Sequence, residues 1–238
     1  MTRPVLYVSR LLPEAVMEMI NDRFQLVTRP EATPPSSDQV RRGLRNADAA
    51  ICTLTEQITE PVLDGVQKLK IVANYAVGYN NIDLAAARSR GIVVTNTPDV
   101  LTDATADLTW ALILATARRV VEGDRLVRSG RWSGWQPTQL LGLDVSGRSL
   151  GPIGMGRIGR AVARRATGFN MQILYHTRQP VKDINQHEGW VSRSLNQLLS
   201  EADIVSIHVP LTPVTTHLIG TAQLALMKPT ALLVNTAR

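Results

Sequence analysis

Several features are scarce in the sequence, and each scarcity removes a class of protein. There is one cysteine, Cys52, among 238 residues, so an intramolecular disulfide framework is excluded and a reducing, cytoplasmic location is expected. No run approaches the roughly 18 apolar residues that a membrane-spanning helix needs, and the first residues show no signal-peptide pattern. We therefore expect a globular, cytoplasmic protein with no membrane partner.

The excess of one charge sign is also small. The 26 basic residues against 20 acidic ones give a net charge of +6, and aromatic residues make up only 4% of the chain. Nucleic-acid-binding surfaces cluster basic residues and interleave them with aromatic side chains, whereas the basic residues here are spread along the sequence. We expect no nucleic-acid partner, and an anionic small molecule is compatible with this charge.

Short apolar runs alternate with helical patterns along the whole sequence. Runs such as VLYV, AAIC, KIVA and IVVT are bounded by turn or charged residues and predict buried strands. Segments such as SSDQVRRGLRN and NIDLAAARSRG lie between them and predict helices. Strands that alternate with helices are typical of an α/β fold with doubly wound parallel sheets.

An Ala-rich stretch divides this alternation into two parts. It runs from Thr102 or Asp103 to Gly130 and predicts one helix of roughly 40 Å. A loop rich in Gly, Pro and Ser follows, and the alternation restarts at SLGPIG and continues to ALLVN. We predict two domains, residues 1–100 and 101–238, with the long helix at their boundary.

Three glycines in the segment SLGPIGMGRIGRAVARRA have the G-x-G-x-x-G spacing of a dinucleotide site. Gly154 would permit a tight turn, Gly156 would let a pyrophosphate approach the backbone, and Gly159 would allow close packing of helix on strand. The spacing alone is weak evidence, but here it follows an apolar strand and opens an amphipathic helix. We predict a dinucleotide site, and the alternative is a glycine turn with a structural role only.

Pro152 conflicts with the strand that should feed this turn. Proline cannot donate a hydrogen bond to a central ladder and is rare there. The position therefore predicts either a bulge or a weakened strand, and we expect Pro152→Ile to stabilise the fold.

The residues after the next strand bear on the choice of cofactor. Sites selective for NAD place an Asp or Glu about 20 residues after the fingerprint, where it binds the ribose 2′-hydroxyl. This sequence has Thr177 and Arg178 there, and a guanidinium binds a phosphate well. We predict that NADP(H) is preferred and that NAD(H) is possible. The alternative is a solvated arginine in a loop, with use of both cofactors.

Four segments together resemble the D-isomer-specific 2-hydroxyacid dehydrogenases, and within them the glyoxylate/hydroxypyruvate reductases. They are LKIVANYAVGYNNIDLAAARSRGIVVTNTPDVLTDATAD, GMGRIGRAVARRATGFNMQILYHTRQP, DIVSIHVPLTPVTTHLI and LMKPTALLVNTAR. They cover most of the chain in the family's order. Trp132 and Trp135 resemble the reductase branch, and Val77 stands where phosphite-oxidising relatives have a lysine.

The resemblance implies a flavodoxin-like substrate domain, a Rossmann NAD(P)-binding domain and a set of site residues. It implies that backbone groups of Val77 and Gly78 bind the substrate carboxylate, and that Arg238 is the catalytic arginine. The implied cofactor-binding residues are Thr105, Gly154, Met155, Gly156, Arg157, Ile158, Gly159, Thr177, Arg178, Val209, Pro210, Thr212, Asn235, Thr236 and Ala237. The implied ligands are a small 2-keto acid and its 2-hydroxy acid; no metal site is predicted.

The family's chemistry sets a further expectation. Hydride passes to a keto carbon, an arginine holds the carboxylate bidentately, and an acid protonates the developing alkoxide. In the family that acid is a histidine tuned by a glutamate, and both come from segments after the arginine. We therefore expect the C-terminal part to be missing from this sequence, and none of its four histidines is expected to substitute.

Two alternatives stay open beside the reductase. One is a non-catalytic dinucleotide-binding module, as in dinucleotide-sensing corepressors, and the other is an inactive, truncated relative that binds nothing. The resemblance also implies a homodimer whose contacts centre on the long helix and the loop after it.

Overall fold

The structure, a computed structural model, describes residues 3–28, 33–178 and 189–237. The chain divides into two compact units, Met1–Val100 and Leu101–Arg238. Each unit contains one five-stranded sheet, and a helix follows each strand that leads to another strand, except before residues 179–188, which lie outside the described residues. Every paired strand is parallel. The predicted α/β class with two doubly wound parallel sheets is therefore confirmed.

The first unit has the flavodoxin-like strand order. Its strands are β1 (Val5–Val8), β2 (Gln25–Thr28), β3 (Ala49–Thr53), β4 (Ile71–Tyr75) and β5 (Val93–Thr95). Its helices are α1 (Glu14–Asn21), α2 (Ser37–Leu44), α3 (Glu60–Leu63) and α4 (Leu84–Ser89). The spatial order is β2-β1-β3-β4-β5, so the order of the strands reverses between β1 and β3. The four runs predicted as strands are β1, β3, β4 and β5.

Alternation along these strands builds the core of the first unit. Ala50, Cys52 and Val72 are fully buried in one apolar cluster with Val40 and Leu44 of α2. Burial, with a smaller contribution from the negative charge of Glu56, raises the pKa of the Cys52 thiol to about 12. Since the thiolate is the reactive form, this cysteine serves as an apolar core residue.

The second unit has five strands in the order of the Rossmann fold. Its strands are β6 (Ser149–Ile153), β7 (Gln172–Tyr175), β8 (Val191–Ser192), β9 (Ile204–Ile207) and β10 (Leu232–Asn235). Its helices are α5 (Thr102–Ala117), α6 (Val120–Arg128), α7 (Arg157–Ala166), α8 (Leu195–Glu201) and α9 (Thr221–Leu226). The order β10-β9-β6-β7-β8 puts the reversal between β6 and β9, where ligands of such sheets bind.

The prediction of one long helix from Thr102 to Gly130 is wrong. Two helices, α5 and α6, meet at Arg119, whose backbone is left-handed with φ 52°. The carbonyl of Ala117 accepts a hydrogen bond from the backbone N–H of Leu143 at 2.8 Å, and Gly142 packs so closely that a Cβ would lie 2.2 Å from the same oxygen. A loop that is distant in the sequence therefore supplies the hydrogen-bond donor at the C-terminal end of α5. In the described ranges, none of the helices has the length and apolar character needed to cross a membrane.

Helix α5 is fixed against α7 by both apolar and charged contacts. Trp110 stacks on Phe169 with ring centroids 4.7 Å apart, and its indole N–H donates to the carbonyl of Val162. Arg165 of α7 forms ion pairs with Asp103 and Asp107 of α5. These contacts set the position of the polar side chains that α5 carries.

Pro152 lies in the central strand β6 and interrupts its ladder with β7. The register is constant along the strand pair, so no bulge accommodates the proline. The carbonyl of Pro152 accepts from the backbone N–H of His176, and the N–H of Gly154 donates to the carbonyl of His176, so the nitrogen of Pro152 faces β7 and leaves the carbonyl of Leu174 without its ladder donor. The sequence allowed either a bulge or a weakened strand at Pro152, and the structure has the weakened strand.

We expect Pro152→Val to raise the free energy of unfolding by about 1 kcal/mol, because it restores one ladder hydrogen bond in a buried strand. Pro152→Ile should give the same bond with one more methyl group to fit into the core. Chemical denaturation measures the change, and Pro213→Val in an exposed loop controls for the lost rigidity of the unfolded chain. An unchanged or lower stability of both Pro152 variants would contradict this interpretation.

Asp203 joins three parts of the second sheet at the amino ends of its strands. Its carboxylate accepts hydrogen bonds from the backbone N–H and the hydroxyl of Ser149 and from Lys228 at 2.9 Å. Burial by itself would raise the pKa of Asp203, but the hydrogen bonds from Ser149 and Lys228 outweigh it and lower the pKa to about 2.

A carboxyl group whose pKa is lowered by folding stabilises the protein above its ordinary pKa of 3.8, and this contribution is lost as the pH falls to about 2. We expect Asp203→Asn to lose roughly 2 kcal/mol of unfolding free energy at neutral pH and to flatten the pH dependence between about pH 4 and pH 2. The exposed Asp144→Asn is the control. Equal acid sensitivity of Asp203→Asn and the native chain would refute the assignment.

Candidate active site

The glycine fingerprint forms a tight turn between β6 and α7. Gly154 has φ 99°, and a Cβ on it would lie 2.9 Å from the backbone of His208. A Cβ on Gly159 would lie 2.0 Å from the carbonyl oxygen of Gly154. These two glycines are therefore required for the turn itself and for the close approach of α7 to β6.

Gly156 differs from its two neighbours, because a Cβ on it would meet no protein atom within 4 Å. It is the N-cap of α7, and no side chain caps this helix end. The first N–H groups of a helix carry a partial positive charge and bind anions. Open space in front of an uncapped helix end fits a pyrophosphate, so the residues present fit a dinucleotide.

A side chain of α7 holds the loop between Gly154 and Gly159 in place. Arg160 reaches back and donates from Nε to the carbonyl of Met155 at 3.1 Å, and Met155 itself is buried in the core cluster of this unit. Ile158 is half-buried against the same cluster, whereas Arg157 is exposed. The loop backbone is thus anchored on its protein side.

The end of β9 lies directly beside the glycine turn. His208 packs its backbone against Gly154, and its Nε2 lies 2.5 Å from the hydroxyl of the buried Ser206. Burial lowers the pKa of His208 to about 4, so the ring is neutral at physiological pH and a poor proton donor there.

Residues after β9 and β10 line one pocket of about 210 Å³. Of the predicted residues, Val209, Pro210, Asn235 and Ala237 contribute to it. Thr212 is near by in the chain, and its backbone N–H donates to Thr215, which also lines the pocket. The sequence prediction thus grouped residues that the fold does bring together at the carboxyl ends of two strands.

A buried threonine connects two other predicted residues. Thr109 donates its hydroxyl proton to the carbonyl of Thr105 at 2.8 Å, and its oxygen lies 2.9 Å from the hydroxyl of Thr236. Since the proton of Thr109 is committed, Thr236 is the donor in the second bond. Sequence analysis missed Thr109, because its full burial in α5 is visible only in the structure.

Thr177 and Arg178 follow β7 at the same edge of the sheet. The carbonyl of the preceding residue, His176, accepts from the N–H of Gly154 at 2.8 Å, which fixes the end of β7 against the glycine turn. Thr177 is half-buried and Arg178 is exposed. The geometry therefore leaves the guanidinium of Arg178 accessible to a ligand.

In the first unit, Val77 and Gly78 form a turn after β4. Both residues are half-buried, and their carbonyl oxygens accept hydrogen bonds from Asn96 and Asn74. These two asparagines also line a largely apolar pocket of about 240 Å³ at the carboxyl ends of β3, β4 and β5. The predicted catalytic residue Arg238 lies outside the described residues.

Comparison with known proteins gives a consistent picture. A family model described as D-isomer specific 2-hydroxyacid dehydrogenase, NAD binding domain, matches residues 110–238. Glyoxylate reductases from Thermococcus kodakarensis and Korarchaeum cryptofilum are 48% and 49% identical to this chain over 240 and 237 residues. Each alignment covers 99% of this chain, and it covers 72% and 71% of the respective relative.

A solved structure agrees with the sequence comparison. The TT0316 protein from Thermus thermophilus superimposes with a TM-score of 0.90 at 45% identity, over 98% of this chain and 74% of its own. The family resemblance predicted from the sequence is therefore confirmed. This chain belongs to the D-isomer specific 2-hydroxyacid dehydrogenase family.

Proposed function

We propose that this chain reduces a small 2-keto acid, glyoxylate or hydroxypyruvate, to the D-2-hydroxy acid, with NADPH preferred over NADH. The observation that carries the proposal is the open, uncapped helix end at Gly156 in a chain 48% identical to a glyoxylate reductase. A bound nicotinamide would supply hydride to the keto carbon. The residues of this chain would bind and orient the cofactor and the substrate, and would polarise the keto group.

The second unit would hold the cofactor. The amides of the glycine turn and of the start of α7 would bind the pyrophosphate, and Arg157 would add positive charge there. Arg178 and Thr177 would bind the 2′-phosphate that distinguishes NADP from NAD. The remaining contacts would come from the residues proposed for the nicotinamide end and for the lining after β9: Thr105, Asn235, Thr236, Ala237, Val209, Pro210 and Thr212.

The first unit would contribute substrate binding through the Val77–Gly78 turn. Backbone N–H groups bind a carboxylate without the entropy cost of ordering a long side chain. In the second unit, Arg238 would bind a substrate carboxylate and polarise the keto oxygen with its planar guanidinium. This role rests on the family motif in which Arg238 follows Asn235, Thr236 and Ala237.

We also propose that the protein is a homodimer in the cytoplasm. Large apolar side chains are exposed on α6 and in the loop after it, which supports a contact there. They are Val120, Val121, Val127, Trp132, Trp135 and Leu141. The buried thiol of Cys52 is compatible with a reducing compartment.

The proposed reaction is tested by following the loss of NADPH absorbance after adding glyoxylate or, separately, hydroxypyruvate. Turnover with either acid supports the reductase, and the ratio of kcat/KM ranks the two substrates. Binding of NADPH without turnover of any 2-keto acid would favour the dinucleotide-binding module instead.

Sedimentation of the native protein tests the proposed homodimer, and a monomer at all concentrations would refute it.

A further inference from the structure

The Val77–Gly78 turn is held by two side-chain amides that have no other assigned role. Asn96 Nδ2 donates to the carbonyl of Val77 at 2.8 Å, and Asn74 Nδ2 donates to the carbonyl of Gly78 at 2.9 Å. Asn74 is 1% exposed and Asn96 is half-buried. The two successive carbonyls are thus drawn toward the sheet by two different strands, β4 and the end of β5.

The orientation of these carbonyls fixes the orientation of the following amides. In a planar trans peptide the N–H points opposite to the C=O, so the N–H of Gly78 points away from Asn96 and that of Tyr79 points away from Asn74. Within the described ranges neither N–H has a hydrogen-bond partner. Unpaired backbone N–H groups in a turn can donate hydrogen bonds to an anion.

Asn74 is itself locked by a buried polar network. Its Nδ2 also donates to Oδ1 of Asn81 at 3.3 Å. The two protons of Asn81 Nδ2 are shared among the carbonyls of Thr53 and Glu56 and Oδ1 of Asn74, which lie 3.0 to 3.2 Å away. The Glu56 carboxylate, 1% exposed, accepts from the hydroxyl of Ser9 at 2.7 Å. A satisfied buried network of this kind rigidifies what it holds.

We propose that Asn96 and Asn74 are positioning residues, which hold the Val77–Gly78 turn so that the N–H groups of Gly78 and Tyr79 receive the carboxylate of the 2-keto acid. The inference rests on the proposed function, because the substrate class comes from it. Both asparagines act through the backbone of the turn and need not touch the substrate.

The variants Asn96→Asp and Asn96→Leu test this, because both remove the amide donor at similar side-chain size, and Asn96→Leu does so without adding a negative charge near the substrate carboxylate. We expect KM for glyoxylate to rise about tenfold, the effect of one lost hydrogen bond and the misdirected peptide. We expect kcat, NADPH affinity and melting temperature to stay near those of the native chain, since Asn96 is only half-buried. The matched control is Asn46→Asp, an exposed position in the same unit. An unchanged KM in either Asn96 variant, or an equal rise in the control, would overturn the proposal.

A second measurement separates this inference from the proposed reaction. Oxalate, an unreactive dicarboxylate, is titrated into ¹⁵N-labelled protein, and the amide resonances of Gly78 and Tyr79 are followed. If these resonances shift in the native chain and the oxalate Kd weakens about tenfold in Asn96→Leu, the positioning role stands even where no glyoxylate is reduced. Resonances that do not move in the native chain, or equal affinity in the variant, would overturn it.

Discussion

Replacing Gly156 by alanine should weaken NADPH binding about 100-fold, the loss of one or two hydrogen bonds to a charged phosphate, and should leave the fold unchanged. A Cβ at this position would meet no protein atom within 4 Å, so the protein alone can accommodate it. The same Cβ would project into the space in front of the α7 N-terminus, where the proposed pyrophosphate must contact backbone N–H groups. Gly156→Ala is therefore expected to weaken the binding of NADPH without lowering the stability of the fold.

The comparison needs two further glycine variants. Gly168→Ala is the matched control, since its Cβ would also meet nothing within 4 Å but the residue lies at the other end of α7, and it should change neither affinity nor stability by much. Gly159→Ala should instead lower the melting temperature, because its Cβ would clash with the carbonyl of Gly154. Melting curves and nicotinamide fluorescence titrations measure all three. An unaltered NADPH Kd in Gly156→Ala would mean that the pyrophosphate does not bind there.

Replacing Arg178 by aspartate should reverse the cofactor preference. The guanidinium that would bind the 2′-phosphate is exchanged for a carboxylate that repels it and can accept a hydrogen bond from the 2′-hydroxyl of NADH. We expect the ratio of the Kd values for NADPH and NADH to change by about 100-fold or more, since both a charge-assisted bond is lost and a like-charge contact is gained.

Paired titrations with NADPH and NADH measure this ratio. The control is Arg148→Asp, which makes the same change of charge at an exposed residue before the amino end of β6 and should leave the ratio as it is. A ratio that Arg178→Asp does not alter, or a native chain that binds NADH more tightly, would refute the assigned contact.

Much of the fold could be predicted because local pattern and tertiary structure agree. The apolar runs at β1, β3, β4 and β5 have the composition of buried parallel strands, and burial matches it for β1, β3 and β4. β5 lies at the edge of the sheet with Val93 56% exposed, so the prediction of a buried strand is wrong there. The glycine fingerprint was predictable for the same reason, since Gly154 and Gly159 answer steric demands that the structure displays, and Gly156 leaves the space in front of α7 open.

What could not be predicted depends on distant contacts. The break between α5 and α6 follows from two contacts with the carbonyl of Ala117: Gly142 packs against it, and the N–H of Leu143 donates a hydrogen bond to it. Nothing in the Ala-rich stretch itself indicates a left-handed Arg119. Strand β2, with only intermediate and exposed residues, and the two-residue strand β8 lack the apolar run that revealed the other strands.

The residues of the candidate site also fall into those that local sequence predicts and those that depend on distant contacts. Residues in the glycine turn belong to a motif with a stated mechanism, whereas Thr109 and Asn96 are ordinary polar residues until the fold brings Thr236 and Val77 to them. Their hydrogen bonds join positions that are far apart in the sequence or separated by a turn. Hydroxyl and amide side chains of this kind are too common for sequence alone to single them out.

The central claim is that the second unit binds a nicotinamide dinucleotide at the Gly154–Gly159 turn. Titrating the native chain into NADPH and following the nicotinamide fluorescence tests it most directly, because the measurement requires no substrate and no turnover. We predict saturable binding that Gly156→Ala weakens and Gly168→Ala does not. No change in fluorescence with NADPH at millimolar concentration would contradict the claim.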